Sequence, residues 1–248
     1  MITTPMIGMV LSAMPIGDFD KRLVILTKER GKITVFAKGA RKPSSAFLAC
    51  SQPFSFGEFS LYEGKTSYNL MSVDISNYFE NLRNDIEAAY YGMYFCELAD
   101  YFTHENEDGT EILKLLYQSL RALGMESIGK NLIRYIYELK IMVINGVAPQ
   151  VFQCVKCGKE EDYQLFNSRE GGLICNDCRN GEISGRNIRL SSSTIYTMQY
   201  IITSSIEKLY TFTVSKEVLE ELKQCMNSYK EFYIDKKMKS LEILEKLF

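Results

Sequence analysis

Leu23-Val-Ile-Leu26, a break at Arg30-Gly31, then Lys32-Ile-Thr-Val-Phe-Ala-Lys38: the reading of this stretch decides the fold of the first third of the chain. Ile33, Val35 and Ala37 fall on one face and Lys32, Thr34 and Phe36 on the other, the period of a half-buried strand. Arg30-Gly31 supplies the turn from the Phe19–Lys28 run. Upstream, Met6–Met14 alternates weakly and ends at Pro15-Ile-Gly17, a turn signal. Downstream, Pro53 opens Phe54–Tyr62, Glu63-Gly64-Lys65 makes a hairpin turn, and Thr66–Ile75 returns. Five strands with so few connecting residues suit a small closed barrel better than an open sheet, and a five-stranded barrel of this length is the OB-fold pattern.

After residue 76 the apolar period changes. Tyr78–Phe102 reads as one long aromatic-rich helix. In 112–123, Ile112, Leu113, Leu115, Leu116, Leu120 and Leu123 cover one face, with Asp108 or Thr110 as candidate cap. A helix over 129–145 stops at Gly146 and Pro149. Further helices are expected at Ser191–Ile206, at Ser215–Tyr233 with Val218, Leu222, Cys225, Tyr229 and Phe232 on one face, and at 238–247. The expected fold is α+β and multidomain: an OB barrel over 1–76, a helical domain over 77–150 and 187–248, and a cysteine module over 151–186 inserted in it.

That module holds Cys154-Val-Lys-Cys157 and Cys175-Asn-Asp-Cys178, with 17 residues between the pairs. Two knuckles at this spacing fold back to hold one Zn²⁺ tetrahedrally. Gly158 follows the first pair, where a knuckle needs positive φ, and Gly171-Gly172 suits a hairpin turn before the second. Four thiolates close the coordination sphere, so the zinc reads as a structural clip rather than a reaction centre. Cys50, Cys96 and Cys225 are scattered in apolar settings, and no signal peptide is seen. A reducing, cytoplasmic compartment is the simplest expectation.

Net charge is −2 over 248 residues. Its distribution is uneven: residues 1–72 carry nine Lys or Arg against five acids, and the rest carries 20 basic against 26 acidic side chains. A basic end on an acidic chain can hold an anionic polymer at that end. No apolar run is long enough for a membrane span. His104, flanked by Thr103 and Glu105-Asn-Glu-Asp-Gly109, reads as a solvated loop residue; with no second histidine a Ser-His-Asp arrangement is not expected, and no phosphate-cradling GxxxxGK[ST] occurs. Neither a small-molecule substrate nor an enzymatic activity is indicated.

Ile16-Gly-Asp-Phe-Asp20-Lys21-Arg22-Leu23, Leu26-Thr27-Lys28-Glu29-Arg30-Gly31-Lys32, Lys38-Gly39-Ala40-Arg41-Lys42-Pro43 with Ser45, Gln52-Pro53-Phe54, and the position of the cysteine pairs carry a resemblance to the RecO family of bacterial recombination mediators. It implies a non-enzymatic protein that binds single- and double-stranded DNA and anneals complementary strands. It further implies contact with the tail of single-strand-binding protein, work with RecR, and help in loading RecA. Lys38, Arg41 and Lys42 sit on a loop where long cations can reach phosphates; Lys21, Arg22, Lys28, Arg30 and Lys32 precede it. The acidic, Phe-ending tail would dock on the helical part, with Arg121, Lys130, Arg134 and Lys140 as charge partners. This chain departs from the family at Ser44, Ala46 and Leu48, where further Lys or Arg are usual; Arg186 and Arg189, or Lys236, Lys237 and Lys239, are the compensating candidates.

Other classes stand beside this one. The barrel can bind protein instead of DNA, making the chain a zinc-bearing adaptor, or the zinc can support an enzyme whose polar pocket is not visible in sequence. Phe19, Phe36 and Phe47 are the aromatics that can stack on bases. The stripe Tyr90, Tyr91, Tyr94, Phe95, Tyr101 and Phe102 reads as core packing.

Overall fold

The computed structural model of the chain describes residues 3–65, 67–181, 185 and 187–248. The alternating stretches form β1 (Thr4–Ile16), β2 (Asp20–Thr27), β3 (Gly31–Ala37), a short helix α1 (Phe47–Cys50), β4 (Phe56–Glu63) and β5 (Tyr68–Asn77). The strands close into a barrel in the order β1-β2-β3-β5-β4, the OB topology. β3 follows the alternation residue by residue: Ile33, Val35 and Ala37 are buried, while Lys32, Thr34 and Phe36 are half-buried on the other side.

Closure depends on β1. Thr4–Met9 pair with β4, and from Gly8 onward the strand pairs with β2, through a register shift between Val10 and Ser12. A bulge at that point bends the strand so that one strand can serve two neighbours. Gly57 leaves β4 room to lie close against β5; a Cβ there would lie 2.1 Å from the Asp74 carbonyl oxygen. β3 and β5 pair in parallel at Val35↔Tyr68 and Phe36↔Asn69, so their connection must cross over, and it carries α1 and β4 on the way. Met6, Val10, Leu23, Ile25, Phe59 and Leu61 fill the interior with the β3 residues.

Tyr78–Phe102 is not one helix. It divides into α2 (Glu80–Arg83) and α3 (Ile86–Phe102). Phe79 takes a left-handed φ of 50°, and Asp85 caps α3 by accepting the Ala88 N–H at 3.0 Å. A capping carboxylate forces non-helical backbone at its own position, which a pattern of apolar residues does not reveal. α4 (Thr110–Leu123) begins at Gly109, and the Asp108 carboxylate accepts the Thr110 N–H at 2.9 Å.

Next come α5 (Lys130–Ile144), β6 (Tyr163–Asn167), β7 (Gly172–Cys175), β8 (Asn187–Arg189), α6 (Ser192–Thr203), α7 (Lys216–Lys230) and α8 (Lys239–Leu247). Ser191 and Ser215 cap α6 and α7 through their side chains. Phe232, expected on the apolar face of α7, lies beyond its end and is 54% exposed. Two compact units result: 1–124 with 238–248, and 125–237. In the first, α8 packs on α3, and Ser240 donates to Glu97 at 2.9 Å. In the second, α5 is buried from Leu132 to Met142, with α6 and α7 packed against it. Among the described residues, no helix is long and apolar enough to cross a membrane.

Candidate nucleic-acid interface and metal centre

The eight barrel cations separate into two groups. β2 and β3 are antiparallel, with Lys21 opposite Ala37 and Leu26 opposite Lys32. Lys21, Arg22, Lys38, Arg41 and Lys42 therefore lie at one end of this pair. Lys28, Arg30 and Lys32 lie at the other, about 20 Å away at roughly 3.3 Å per residue.

At the first end, the loop after β3 is locked onto the β1–β2 turn. Gly39 N–H donates to the Asp20 carboxylate at 2.7 Å and Arg41 N–H to the Phe19 carbonyl at 2.8 Å. The Arg41 guanidinium reaches the Gly17 carbonyl at 3.1 Å, and Lys42 Nζ lies 5.4 Å from the centre of the Phe19 ring. Gly39 makes the turn at φ +66°, a conformation cheap only for glycine. Lys38, Arg41, Lys42 and Arg22 are exposed. Lys21 differs. Its ammonium donates to the Ser51 hydroxyl at 2.9 Å and carbonyl at 3.1 Å, and burial pushes its pKa down.

The three candidate stacking rings also separate. Phe19 is 52% exposed beside Arg41 and Lys42. Phe36 is half-buried, and Phe47 packs against the barrel core. A groove of about 760 Å³ adjoins the loop; Leu48, Pro53, Phe54, Leu82, Arg83 and Met93 are among its walls.

At the second end two of the three cations are held, Lys32 by the last turn of α3 and Arg30 by the α3–α4 connection. Lys32 Nζ donates to the Asp100 carbonyl at 2.5 Å and faces its carboxylate at 3.2 Å. Arg30 donates to the Asn106 side chain at 3.1 Å. Lys28 is exposed beside Thr110 and Lys114.

On the helices, Arg121 is exposed and Lys130 half-buried. Arg134 and Lys140 are buried. Arg134 donates to Glu138 at 2.9 Å, and Glu138 also accepts from Lys230 at 2.6 Å. Lys140 Nζ donates to the carbonyls of Ile202 and Ser204 at 2.9 and 2.7 Å, where a cation favours the negative end of α6. Both cations thus serve internal partners instead of facing a surface. Arg189 and the cluster Lys236, Lys237 and Lys239 are exposed, and Arg186 lies outside the described residues.

The sulfurs of Cys154, Cys157, Cys175 and Cys178 lie within 4.8 Å of one another, Cys157 and Cys175 at 3.7 Å. Sulfurs about 2.3 Å from a tetrahedral metal stand about 3.8 Å apart, so the four fit a mononuclear site. Local backbone builds it. Gly158 at φ +75° closes the first knuckle with its N–H on the Cys154 carbonyl at 2.9 Å, and Gly171 at φ +84° turns the β6–β7 hairpin. Cys175 N–H donates to the Cys154 sulfur at 3.3 Å. Burial pushes the Cys154 thiol up, but the N–H groups of Cys175, Cys157 and Lys156 outweigh it and bring it down to about 6. Hydrogen bonds with Cys157 and then Cys175 push the Cys178 thiol up to about 12. A metal ion binds cysteine as thiolate, so these four sulfurs form a donor set that would lose its protons on metal binding. Lys159 bridges Asp162 and Asp177 at 3.6 and 3.3 Å, tying the two knuckles together at the surface.

A closed OB barrel, followed by helices and a four-cysteine cluster fit to hold a metal ion, defines a class of multidomain barrel protein. The family description "Recombination protein O N terminal" matches residues 1–79, and "Recombination protein O C terminal" matches residues 83–242. The "DNA repair protein RecO" of Alkaliphilus metalliredigens is 34% identical over 97% of this chain and 98% of its own length. That of Symbiobacterium thermophilum is 31% identical over 97% and 96%, and that of Acetivibrio thermocellus 29% over 97% and 95%. The chain belongs to the RecO family.

Proposed function

We propose that this chain is a non-catalytic DNA-binding mediator of recombinational repair. Its barrel binds single- and double-stranded DNA at the end that carries Arg22, Lys38, Arg41 and Lys42. With RecR it anneals complementary strands and helps load RecA on DNA coated by single-strand-binding protein, in the cytoplasm and on the nucleoid. One observation carries the DNA reading: the hydrogen-bonded contact between the Gly17–Phe19 turn and the Lys38–Lys42 loop, which gathers exposed cations around an exposed ring. Cations contribute affinity through counterion release, and a ring offers stacking to any base. Lys21, Arg30 and Lys32 contribute to the field of the barrel, with their head groups held by Ser51, Asn106 and Asp100. Of the four helical cations, Arg121 and Lys130 are the better candidates for the acidic tail of single-strand-binding protein.

The metal we propose is one structural Zn²⁺ on Cys154, Cys157, Cys175 and Cys178. A tetrahedral all-thiolate set suits Zn²⁺, and such a site leaves no open position for substrate. The domain division proposed is barrel, helical domain and inserted knuckle.

Fluorescence anisotropy of labelled single-stranded DNA, with wild type and Arg41→Glu/Lys42→Glu, tests the DNA reading. Salt-sensitive binding by wild type and its loss in the variant support it. A folded wild-type protein that does not bind at low salt overturns it in favour of a protein adaptor. The apolar groove beside the loop is the observation that favours that second reading.

A further inference from the structure

The four cysteines of the metal centre differ in access. Cys154 and Cys175 are buried, Cys178 is half-buried and Cys157 is exposed. Cys157 stands just before Gly158, in a knuckle closed by Cys154 N–H on the Lys159 carbonyl at 2.8 Å and by Gly158 N–H on the Cys154 carbonyl at 2.9 Å. The knuckle is also fastened to β7. Val155 N–H donates to the Leu173 carbonyl at 2.9 Å, and Cys175 N–H to the Cys154 sulfur at 3.3 Å. Across these bonds the Cys157 sulfur lies 3.7 Å from that of Cys175. The other three cysteines, Cys50 on α1, Cys96 on α3 and Cys225 on α7, are buried.

Chemical state and access coincide at Cys157. A metal-bound cysteine is held as thiolate, the form that oxidants attack, and attack goes to the sulfur that solvent reaches. Cys50, Cys96 and Cys225 are neither in the metal cluster nor exposed. The geometry also sets two end states apart. Sulfurs around a tetrahedral metal stand about 3.8 Å apart, whereas a disulfide needs about 2.05 Å. Cys157 and Cys175 match the first spacing and reach the second by closing about 1.7 Å. A pair joined in that way no longer spans a tetrahedral ion.

We propose that Cys157 is an oxidation site for hydrogen peroxide, and that its disulfide with Cys175 opens the metal centre. The proposal rests on the reading that the four sulfurs hold zinc. The Cys157 thiolate attacks one peroxide oxygen, the O–O bond breaks, and hydroxide leaves a sulfenic acid behind. The Cys175 thiolate then attacks that sulfur, the S–O bond breaks, and a second hydroxide leaves. The two thiolates give up two electrons, peroxide takes them, and both hydroxides are protonated to water. Cys154 and Cys178 remain, two ligands where a structural zinc takes four. The consequence stays within the unit 125–237. β7 pairs with β6, whose Phe166 ring stands 5.9 Å from that of Tyr229 on α7, so opening the centre loosens a hairpin packed on the helices.

Thiol mapping of the zinc-loaded full chain tests it. Hydrogen peroxide is added and samples are quenched with acid at intervals. Free thiols are alkylated after unfolding, disulfides are located by mass spectrometry, and a colorimetric chelator reads released zinc in parallel. Cys157→Ser is itself the loss of a ligand, so the test stays with wild type and uses Cys50, Cys96 and Cys225 as internal controls. The expected result is that free Cys157 and Cys175 disappear together, about tenfold faster than the three controls. Zinc is released in step with the disulfide, the melting temperature falls, and reductant with added zinc restores it. Zinc released while Cys157 stays reduced, a disulfide between Cys175 and Cys178 in place of the expected one, or oxidation of all seven cysteines at one rate overturns the proposal and leaves the zinc reading standing. So does retention of zinc and thiols under peroxide that oxidises a free cysteine peptide. A folded chain that takes up no zinc overturns the zinc reading, and the proposal with it.

Discussion

Phe19→Ala removes a ring that the fold scarcely uses and that the proposed interface needs. Phe19 is 52% exposed, and the Lys42 ammonium lies 5.4 Å from the centre of its ring. An exposed cation–π contact is worth about 0.5–1 kcal/mol, so loss of stability stays near that figure. Stacking on a base contributes about 1–3 kcal/mol, so the same substitution costs about 5- to 150-fold in affinity for single strands. No phosphate contact is removed, and the log–log salt slope stays at its wild-type value. Phe47→Ala is the control with the opposite signature. Its ring packs against the barrel core, so truncation lowers the melting temperature, with about 3–5 kcal/mol as the upper range for a fully buried ring. Anisotropy at several salt concentrations, alongside a thermal melt of each variant, separates the two. Phe19→Ala binding single strands within about twofold of wild type would refute the stacking argument.

Arg41→Glu/Lys42→Glu removes two of four exposed cations at the loop end. At about 0.7 per contact on single strands, the slope falls from about −2.8 to about −1.4, so raising salt from about 50 to about 200 mM costs wild type roughly 50-fold and the variant roughly sevenfold; equal slopes would contradict the assignment. Cys157→Ser lowers bound zinc and thermal stability together, because the ligands that bind the ion also hold the two knuckles; wild type purified without chelator and found zinc-free by elemental analysis sinks the metal assignment. Protons compete with the metal for all four thiolates, so acidification releases zinc and alkali retains it, read with a colorimetric chelator; release that is independent of pH argues against thiolate ligation. Glu138→Ala strands Arg134 and Lys230 without their shared carboxylate and costs about 3–5 kcal/mol in denaturant melts, whereas an exposed ion pair would cost about 1 kcal/mol or less.

The barrel was readable because its strands are half-buried. Ile33, Val35 and Ala37 repeat at the two-residue period that one buried face imposes, and Gly158 and Gly171 mark turns that only φ above zero can make. Ser191 and Ser215 signalled helix starts by side-chain chemistry that acts within three residues. What escaped the sequence depends on contacts between distant residues. Tyr78–Phe102 is the local exception: its break lies in the polar stretch Glu80–Glu87, where the Asp85 carboxylate accepts the Ala88 N–H. Arg134 and Lys140 read as surface charges, but each is buried with partners on other elements, up to 93 residues away. β8 contains only Asn187-Ile-Arg189 and exists as a strand because Leu165–Asn167 lies beside it. The basic residues were legible as a set; their division between two ends of the barrel needed the β2–β3 register and the hydrogen bonds made by the end of α3 and the α3–α4 connection.

Photocrosslinking tests the central claim most directly. A single-stranded oligonucleotide carrying a photoreactive thymine analogue is irradiated on the zinc-loaded protein, and the attached peptide is located by mass spectrometry. The account predicts adducts within residues 17–45, foremost at Phe19, that disappear as salt is raised. Adducts confined to residues 125–237, or none under conditions where a known OB-fold binder crosslinks, would contradict it.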